Sequence, residues 1–340
     1  MSEIIFHIGM HKTGTTTLQY SFRDYQEEFS KLGIYFPNAA RIAREGHHNL
    51  VYELISAPKL EPAKGGWEMM TEELRARPEP FILISSESLS GYRSFAEIPQ
   101  RCAELARTLG RRPRVIAYLR PQPYFIESIY AQNASTGYTA QHFDRFLLHV
   151  LADGMADYGL VLKNWHDTFG DCEIHPFPPR ADESYLAQFV RAISGAELPD
   201  TIKEVRANER RGIRAVEFGR EATVHFQRAG VPTVERRRLV QRVSAICARR
   251  FPNEPAFTAL DHRLFEDLKT IFAASNAALV ERYPHLREHL DSQFTRKGYP
   301  TALNFDSGTP ALRADFINIM LEAVETGTEE PAPARASQAA

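Results

Sequence analysis

The chain opens with a short buried strand, a glycine-containing turn and an amphipathic helix, and this order constrains the fold more than any other feature. Residues 4–8 form an apolar run that ends at Gly9, which is typical of a strand inside a sheet. After the turn, residues 16–32 carry apolar side chains at helical spacing, and Gly33 ends that pattern. A strand that turns sharply into a helix directs backbone N–H groups at one point, which suits an anion.

Strand and helix patterns continue to alternate through the first half of the chain. The sequence predicts further strands at 34–36, 81–85, 114–119 and 172–175, and helices at 97–109, 123–134 and 158–169. Such alternation predicts an α/β fold in which helices flank a parallel sheet. Residues 183–325 are predicted to be mostly helical, so the C-terminal half differs from the first half.

The length and composition allow a substantial core. The chain has 340 residues, of which 43% are hydrophobic, and no linker separates its halves. We therefore predict one domain over residues 1–326. Residues 327–340 contain no large apolar side chain, which predicts a disordered tail.

Charge and cysteine content narrow the class of protein. The formal net charge of −2 argues neither for nor against a polyanionic partner, but no nucleic-acid-binding motif is present, so we expect no nucleic-acid partner. The three cysteines are widely spaced and follow no disulfide or metal-ligand pattern. The sequence shows neither a secretory signal pattern nor an apolar run long enough for a bilayer. These observations predict a reduced cytoplasmic protein without a membrane span.

The turn after the first strand has an unusual lysine position. Gly9 and Gly14 have the spacing of the two glycines in the nucleoside-triphosphate P-loop, where a lysine directly follows the second glycine. In this chain Thr15 follows the second glycine, and Lys12 lies inside the turn. An ammonium group held there can stabilise the negative charge of an anion bound in the turn. The hydroxyls of Thr15 and Thr16 can donate hydrogen bonds to the same anion.

The run from His11 to Thr16, His-Lys-Thr-Gly-Thr-Thr, resembles the 5′-phosphosulfate-binding loop of sulfotransferases, most closely that of bacterial members. The resemblance covers the first half of the chain and implies a P-loop-like fold. It implies transfer of a sulfuryl group from 3′-phosphoadenosine 5′-phosphosulfate (PAPS) to a hydroxyl or amine acceptor. It also implies that no metal is required, because this donor carries one phosphate and one sulfate at its reactive end. The loop residues implied to bind PAPS are His11, Lys12, Thr13, Gly14, Thr15 and Thr16.

The same resemblance implies a second anchor, for the 3′-phosphate of PAPS. In the family, an arginine ends a later strand and a serine lies on the helix that follows. Arg120 ends the strand 114–119, and Ser128 lies eight residues further on, which matches the family spacing. A guanidinium fork suits a phosphate. The triplet Arg296, Lys297 and Gly298 resembles the basic-glycine element that closes over the 3′-phosphate in related branches.

The acceptor must lose a proton as it attacks, and two kinds of side chain are candidates for the base. Glu87 follows the strand 81–85, at the carboxyl end where ligands bind in open α/β sheets, and the resemblance favours a glutamate base. The alternative is a histidine, His48 or His47, in the loop before it. The spacing of the histidines does not support a zinc site with His11.

Two other functions remain open from the sequence. A kinase or nucleotidase with an altered P-loop would need a magnesium site, for which Glu87 and Thr16 are the available residues. A binding module would hold a nucleotide or glycan without turnover. For the sulfotransferase hypothesis we expect a small-molecule or glycan acceptor, for example a carbohydrate.

Overall fold

The computed structural model describes residues 2–42, 45–91, 95–178, 184–204, 211–296 and 310–325. Five strands form one sheet: β1 Glu3–His7, β2 Ile34–Tyr35, β3 Phe81–Ser85, β4 Arg112–Leu119 and β5 Glu173–Pro176. Their order in the sheet is β2-β3-β1-β4-β5, and all neighbours run parallel. The predicted α/β fold with a parallel sheet is confirmed.

Helices occupy most of the remaining described residues. They are α1 Thr15–Asp24, α2 Gln26–Lys31, α3 His48–Leu54, α4 Trp67–Arg75, α5 Ser88–Gly91, α6 Glu97–Thr108, α7 Gln122–Ser135, α8 Phe143–Asp153, α9 Tyr158–Phe169, α10 Tyr185–Ser194, α11 Ile213–Arg228, α12 Thr233–Arg250, α13 His262–Arg282, α14 Arg287–Leu290 and α15 Pro310–Glu325. Short 3₁₀ turns lie at Pro62–Lys64 and Pro284–Leu286. Beyond β5 the described residues contain helices and no further strand, as the sequence predicts.

The central position of β1 follows from its composition. All five of its residues are buried, so the strand needs a neighbour on each side and a cover on each face. It pairs with β3 from Glu3 opposite Phe81 to His7 opposite Ser85, and with β4 on its other edge. The chain leaves β1 toward β2 and leaves β4 toward β5, so the strand order reverses between β1 and β4. Ligands of open α/β sheets bind outside the carboxyl ends of the strands at such a point.

The helix predicted over residues 16–32 is in fact two helices. The chain breaks at Tyr25, where φ is −117° and ψ is 35°, between α1 and α2. The break brings the ring of Phe22, on α1, within 4.1 Å of the ring of Phe29, on α2, measured between centroids. Both rings are fully buried, so the contact explains why a continuous helix is not the most stable arrangement here.

The chain divides into two compact units. The first comprises the described parts of residues 1–121, 154–208 and 272–292, which include the whole sheet, and the second comprises those of 122–153, 209–271 and 293–340. The single domain over 1–326 stays a prediction, and the predicted tail 327–340 lies outside the described residues. No described helix is both long enough and apolar enough to cross a membrane.

Candidate active site

Three loops meet at the carboxyl end of the sheet, within the first unit. The loop after β1 carries Lys12, the loop after β3 carries Glu87, and the residue after β4 is Arg120. Because β1 lies between β3 and β4, the Lys12 loop is flanked by Glu87 on one side and by Arg120 on the other.

The Lys12 loop is held in place by its own backbone and by β4. The N–H of Met10 donates to the carbonyl of Tyr118 at 3.2 Å, and the N–H of Tyr118 donates to the carbonyl of Gly9 at 2.8 Å. The hydroxyl of Thr13 donates to the Met10 carbonyl at 2.7 Å. Lys12 itself has a φ of +64°, in the left-handed region that non-glycine residues rarely occupy. Strained residues of this kind persist where surrounding contacts fix them, and they concentrate at ligand sites.

The start of α1 is suited to an anion. Its N-cap, Gly14, has a φ of +73° and offers no side-chain hydrogen bond to the first turn, which contains no acidic residue. The positive end of the helix dipole is therefore not neutralised by the described residues of that turn. Thr15 and Thr16 are buried at this end. A phosphate or sulfate fits this donor set of backbone N–H groups and hydroxyls.

Arg120 is tied to the Lys12 loop. Its Nη1 donates to the carbonyl of Lys12 at 3.4 Å, and its guanidinium lies 5.7 Å from the centroid of the Phe177 ring. Its own carbonyl accepts a hydrogen bond from the hydroxyl of buried Tyr158. These contacts fix the arginine at the switch point of the sheet, where its charge can meet a second anionic group.

Glu87 lies among nitrogen-bearing side chains. Gln19 Nε2 donates to Glu87 Oε2 at 3.3 Å, and His48 Nε2 lies 3.9 Å from the same oxygen. Burial alone would raise the pKa of the Glu87 carboxyl, but the electrostatic interactions with His48 and His11 and the Gln19 hydrogen bond lower it to about 2. Glu87 is therefore a carboxylate at neutral pH and can accept a proton or a hydrogen bond.

The two neighbouring histidines have different surroundings. His47 Nδ1 accepts the Ser85 backbone N–H at 3.1 Å, so the ring proton is on Nε2, which donates to the Pro37 carbonyl at 3.0 Å. Burial lowers the pKa of His47 to about 4, so it is a neutral structural link between β3 and the loop after β2. His48 instead faces Glu87, and its Nδ1 contacts the hydroxyls of Ser86 at 2.7 Å and Ser88 at 3.1 Å. Of the two predicted histidines, His48 is thus the one that lies in the candidate site.

His11 is half-buried beside Glu87. Burial lowers its pKa, and the charge of Glu87 only partly opposes that shift. The ring of His11 faces Gly91, where an added Cβ would lie 3.1 Å from its Nε2. His11 is therefore a neutral imidazole at pH 7, with room for its ring provided by the glycine.

The remaining predicted donor-binding residues belong to the second unit. Ser128 is half-buried on α7, and its assignment to a 3′-phosphate stays a prediction. Arg296 Nη1 donates to the buried carboxylate of Glu127 and contacts the hydroxyl of Thr258. Lys297 and Gly298 lie outside the described residues. In the described part of the chain, no group of three or more histidine, cysteine, aspartate or glutamate side chains is arranged to hold a metal ion.

Gln19 is the site residue to which the sequence analysis assigned no role. It is fully buried on α1, one turn after Thr15, where the other inward positions are occupied by threonines, Ser21 and apolar residues. The sequence does offer one signal for Gln19: it is an amide on the inward face of a short helix next to the candidate phosphate loop. Its partner is on a strand-end loop 68 residues away, and helical spacing alone does not identify such a partner.

Comparison with known proteins gives partial structural similarity. No protein-family profile and no curated protein match the chain. A crystal structure of a sulfotransferase from Alicyclobacillus acidocaldarius is similar at 17% sequence identity and a TM-score of 0.39, covering 71% of this chain and 96% of that chain. At this identity and TM-score the similarity assigns no activity, so the function has to be inferred from the residues of this chain.

Proposed function

We propose that the chain is a sulfotransferase that moves a sulfuryl group from PAPS to a hydroxyl or amine acceptor. The observation that carries the proposal is the hydrogen bond from Arg120 Nη1 to the carbonyl of Lys12. It joins a phosphate-type loop and a later arginine at one end of the sheet. A donor with a phosphosulfate at one end and a 3′-phosphate at the other needs two separate anion anchors of this kind.

The fit of the donor follows from the groups available at each anchor. The uncapped start of α1, the hydroxyls of Thr15 and Thr16 and the Lys12 side chain suit the 5′ end. Arg120 suits the 3′-phosphate, and Ser128 remains its sequence-based companion. Because Arg296 is paired with Glu127, its charge is already compensated within the described residues, so we give it a secondary role at most.

The chemical step is an in-line displacement at sulfur. The acceptor oxygen or nitrogen forms a bond to sulfur while the bond from sulfur to the phosphate oxygen breaks, and that oxygen keeps the electron pair. Lys12 stabilises the charge on the leaving oxygen, and the acceptor proton passes to the Glu87 carboxylate. His48 holds the carboxylate from the other side. Most of the rate enhancement comes from positioning and electrostatics.

The lysine position favours this chemistry over ATP chemistry. A nucleoside-triphosphate P-loop needs its lysine after the second glycine, where this chain has Thr15. The carboxylate that a magnesium site would require, Glu87, faces the imidazoles of His48 and His11. We propose a small molecule or glycan as the acceptor and the cytoplasm as the compartment, on the sequence grounds given above.

Calorimetry with adenosine 3′,5′-bisphosphate and with ATP plus magnesium tests the donor class. We expect the bisphosphate to bind and ATP to bind weakly or not at all. Transfer of labelled sulfate from PAPS is then measured with a phenol, a monosaccharide, a primary amine and a long-chain alcohol as acceptors. Lys12→Ala should lower turnover by about a hundredfold or more, whereas the exposed Lys163→Ala should not.

Two results would count against the proposal. Preference for ATP with magnesium would favour the kinase or nucleotidase hypothesis. Tight bisphosphate binding without transfer to any acceptor class would favour a binding module.

A further inference from the structure

A chain of buried polar contacts links the interior of the sheet to Glu87. His7 Nδ1 lies 2.9 Å from the hydroxyl oxygen of Ser85, and Gln19 Nε2 donates to that same oxygen at 3.3 Å. Gln19 Nε2 also donates to Glu87 Oε2 at 3.3 Å. His7, Ser85 and Gln19 are each fully buried, so no solvent competes for these contacts.

The orientation of the Gln19 amide is determined by its partners. An amide nitrogen carries two hydrogens, and here one faces Ser85 and the other faces Glu87. The reversed orientation would place the amide oxygen against a carboxylate that only accepts hydrogen bonds. The cost of the observed orientation is visible at the other end, because Gln19 Oε1 is buried without a hydrogen-bond partner among the described residues. An apolar side chain at this position would avoid the cost of burying an unpaired amide oxygen. We therefore infer that the amide is needed for its contact with Glu87.

We propose that Gln19 is a positioning residue that fixes the Glu87 carboxylate toward the acceptor while α1 holds the donor. This inference rests on the proposed function. Thr15 and Thr16 lie at the start of α1, and Gln19 lies one turn later on the same helix. A single rigid element thus sets the place of the donor phosphate and of the carboxylate that receives the acceptor proton. Such coupling gives the correct geometry in advance of substrate binding.

The charged and titratable groups around Glu87 influence the pKa that a titration of its carboxyl measures. They are His48 from α3, His11 from the Lys12 loop and His7 from β1. Gln19 contributes a neutral hydrogen bond that lowers the pKa of Glu87 alongside the interactions with His48 and His11. Loss of the amide should therefore raise that pKa while the histidines remain in place.

The test compares three full-length variants with the wild type. Gln19→Leu removes the amide, and Gln19→Glu places a second carboxyl against Glu87. Gln26→Leu is the matched control, because Gln26 Nε2 donates to the Phe36 carbonyl at 3.1 Å rather than to Glu87. Carboxyl titration by ¹³C NMR follows Glu87, with Glu87→Gln identifying its signal. Sulfuryl transfer from PAPS is measured with whichever of the four acceptor probes the wild type uses.

We expect Gln19→Leu to lower kcat by roughly tenfold to a hundredfold with the donor KM nearly unchanged, and to raise the Glu87 pKa. In Gln19→Glu two carboxyls share one proton, so one of them should titrate above the ordinary glutamate range. Gln26→Leu should change neither quantity. An unaltered kcat together with an unaltered Glu87 titration in Gln19→Leu would overturn the inference. If the wild type transfers no sulfate but the titration shifts, the proposed function fails and the positioning of Glu87 by Gln19 stands.

Discussion

Gly9 and Glu87 are packed so closely that a side chain at position 9 would crowd Glu87. A Cβ in place of the Gly9 hydrogen would lie 3.0 Å from the Cβ of Glu87 and 3.1 Å from its Cα. Gly9 also has a φ of +94°, which side chains rarely allow. The first residue of the phosphate loop therefore sets the position of the candidate base.

Replacing Gly9 by alanine should displace Glu87 and reduce sulfuryl transfer. Crowding and backbone strain together should cost about 2 kcal/mol or more of unfolding free energy. Urea denaturation and transfer assays measure the two effects. Gly110→Ala is the control, because Gly110 has a φ of +62° but nothing within 4 Å of an added Cβ. Gly110→Ala should lose roughly 1 kcal/mol of unfolding free energy from backbone strain and keep its transfer activity. Equal activity in both variants would show that the Gly9 contact does not matter for the site.

Arg120 should distinguish nucleotides by their 3′-phosphate. In the wild type, adenosine 3′,5′-bisphosphate should bind more tightly than adenosine 5′-monophosphate. Arg120→Ala should remove most of that preference, since a bidentate guanidinium-phosphate contact is lost, while binding of the monophosphate changes little. Calorimetry of both nucleotides with the wild type and with Arg120→Ala measures directly how much of the 3′-phosphate preference depends on Arg120. A preference that survives in Arg120→Ala would place the 3′-phosphate at another residue.

The pH profile of transfer separates the two candidate bases. With the Glu87 pKa lowered to about 2, a glutamate base stays deprotonated as the pH falls from 7 to 5, so kcat/KM should stay level. A histidine base would give an acid limb near the usual range for imidazole, roughly pH 6 to 7.

Glu87→Gln should lower turnover by about a hundredfold or more. His48→Asn should lower turnover less and move the acid limb of Glu87 to higher pH, because an interaction that lowers the Glu87 pKa is lost.

His47 should make the fold sensitive to acid. Burial lowers its folded-state pKa from 6.5 to about 4, so the folded state favours the neutral ring. Its contribution is fully present above pH 6.5 and is lost as the pH falls toward 4, by up to roughly 3 kcal/mol. His47→Gln should flatten the dependence of unfolding free energy on pH in that window. His149→Gln, at an exposed position, should leave the wild-type slope. The same slope in all three proteins would contradict this role for His47.

The sequence predicted the sheet well because its strands are short apolar runs with clear ends. The strand at 81–85 was predicted with its observed bounds, since Pro78 and Pro80 precede it and polar residues follow. The break at Tyr25 was missed because it depends on a contact between two phenylalanine rings and leaves the helical spacing intact. Local pattern identifies elements, but it does not identify their side-chain partners.

The same distinction holds for the site. The placement of Lys12, Glu87 and Arg120 at one edge of the sheet was predictable because each follows a strand, and parallel strands end at one edge; their roles stay predictions. The placement of His48, rather than His47, beside Glu87 could not be predicted. Adjacent residues differ only in which side of the loop they face. Ser85 and Pro37 bind one ring, and Glu87 lies beside the other. Only the strand order brings these separate segments together.

The order of the strands also separates the two sides of the candidate site. The segment between β2 and β3 leads to the Glu87 side of the central loop, whereas β4 leads to the Arg120 side. Under the proposed function, changes in the segment between β2 and β3 would alter the access of the acceptor without disturbing Arg120, the residue proposed to bind the nucleotide. Loop grafting between β2 and β3 is therefore the route by which the acceptor could be exchanged while the donor is retained.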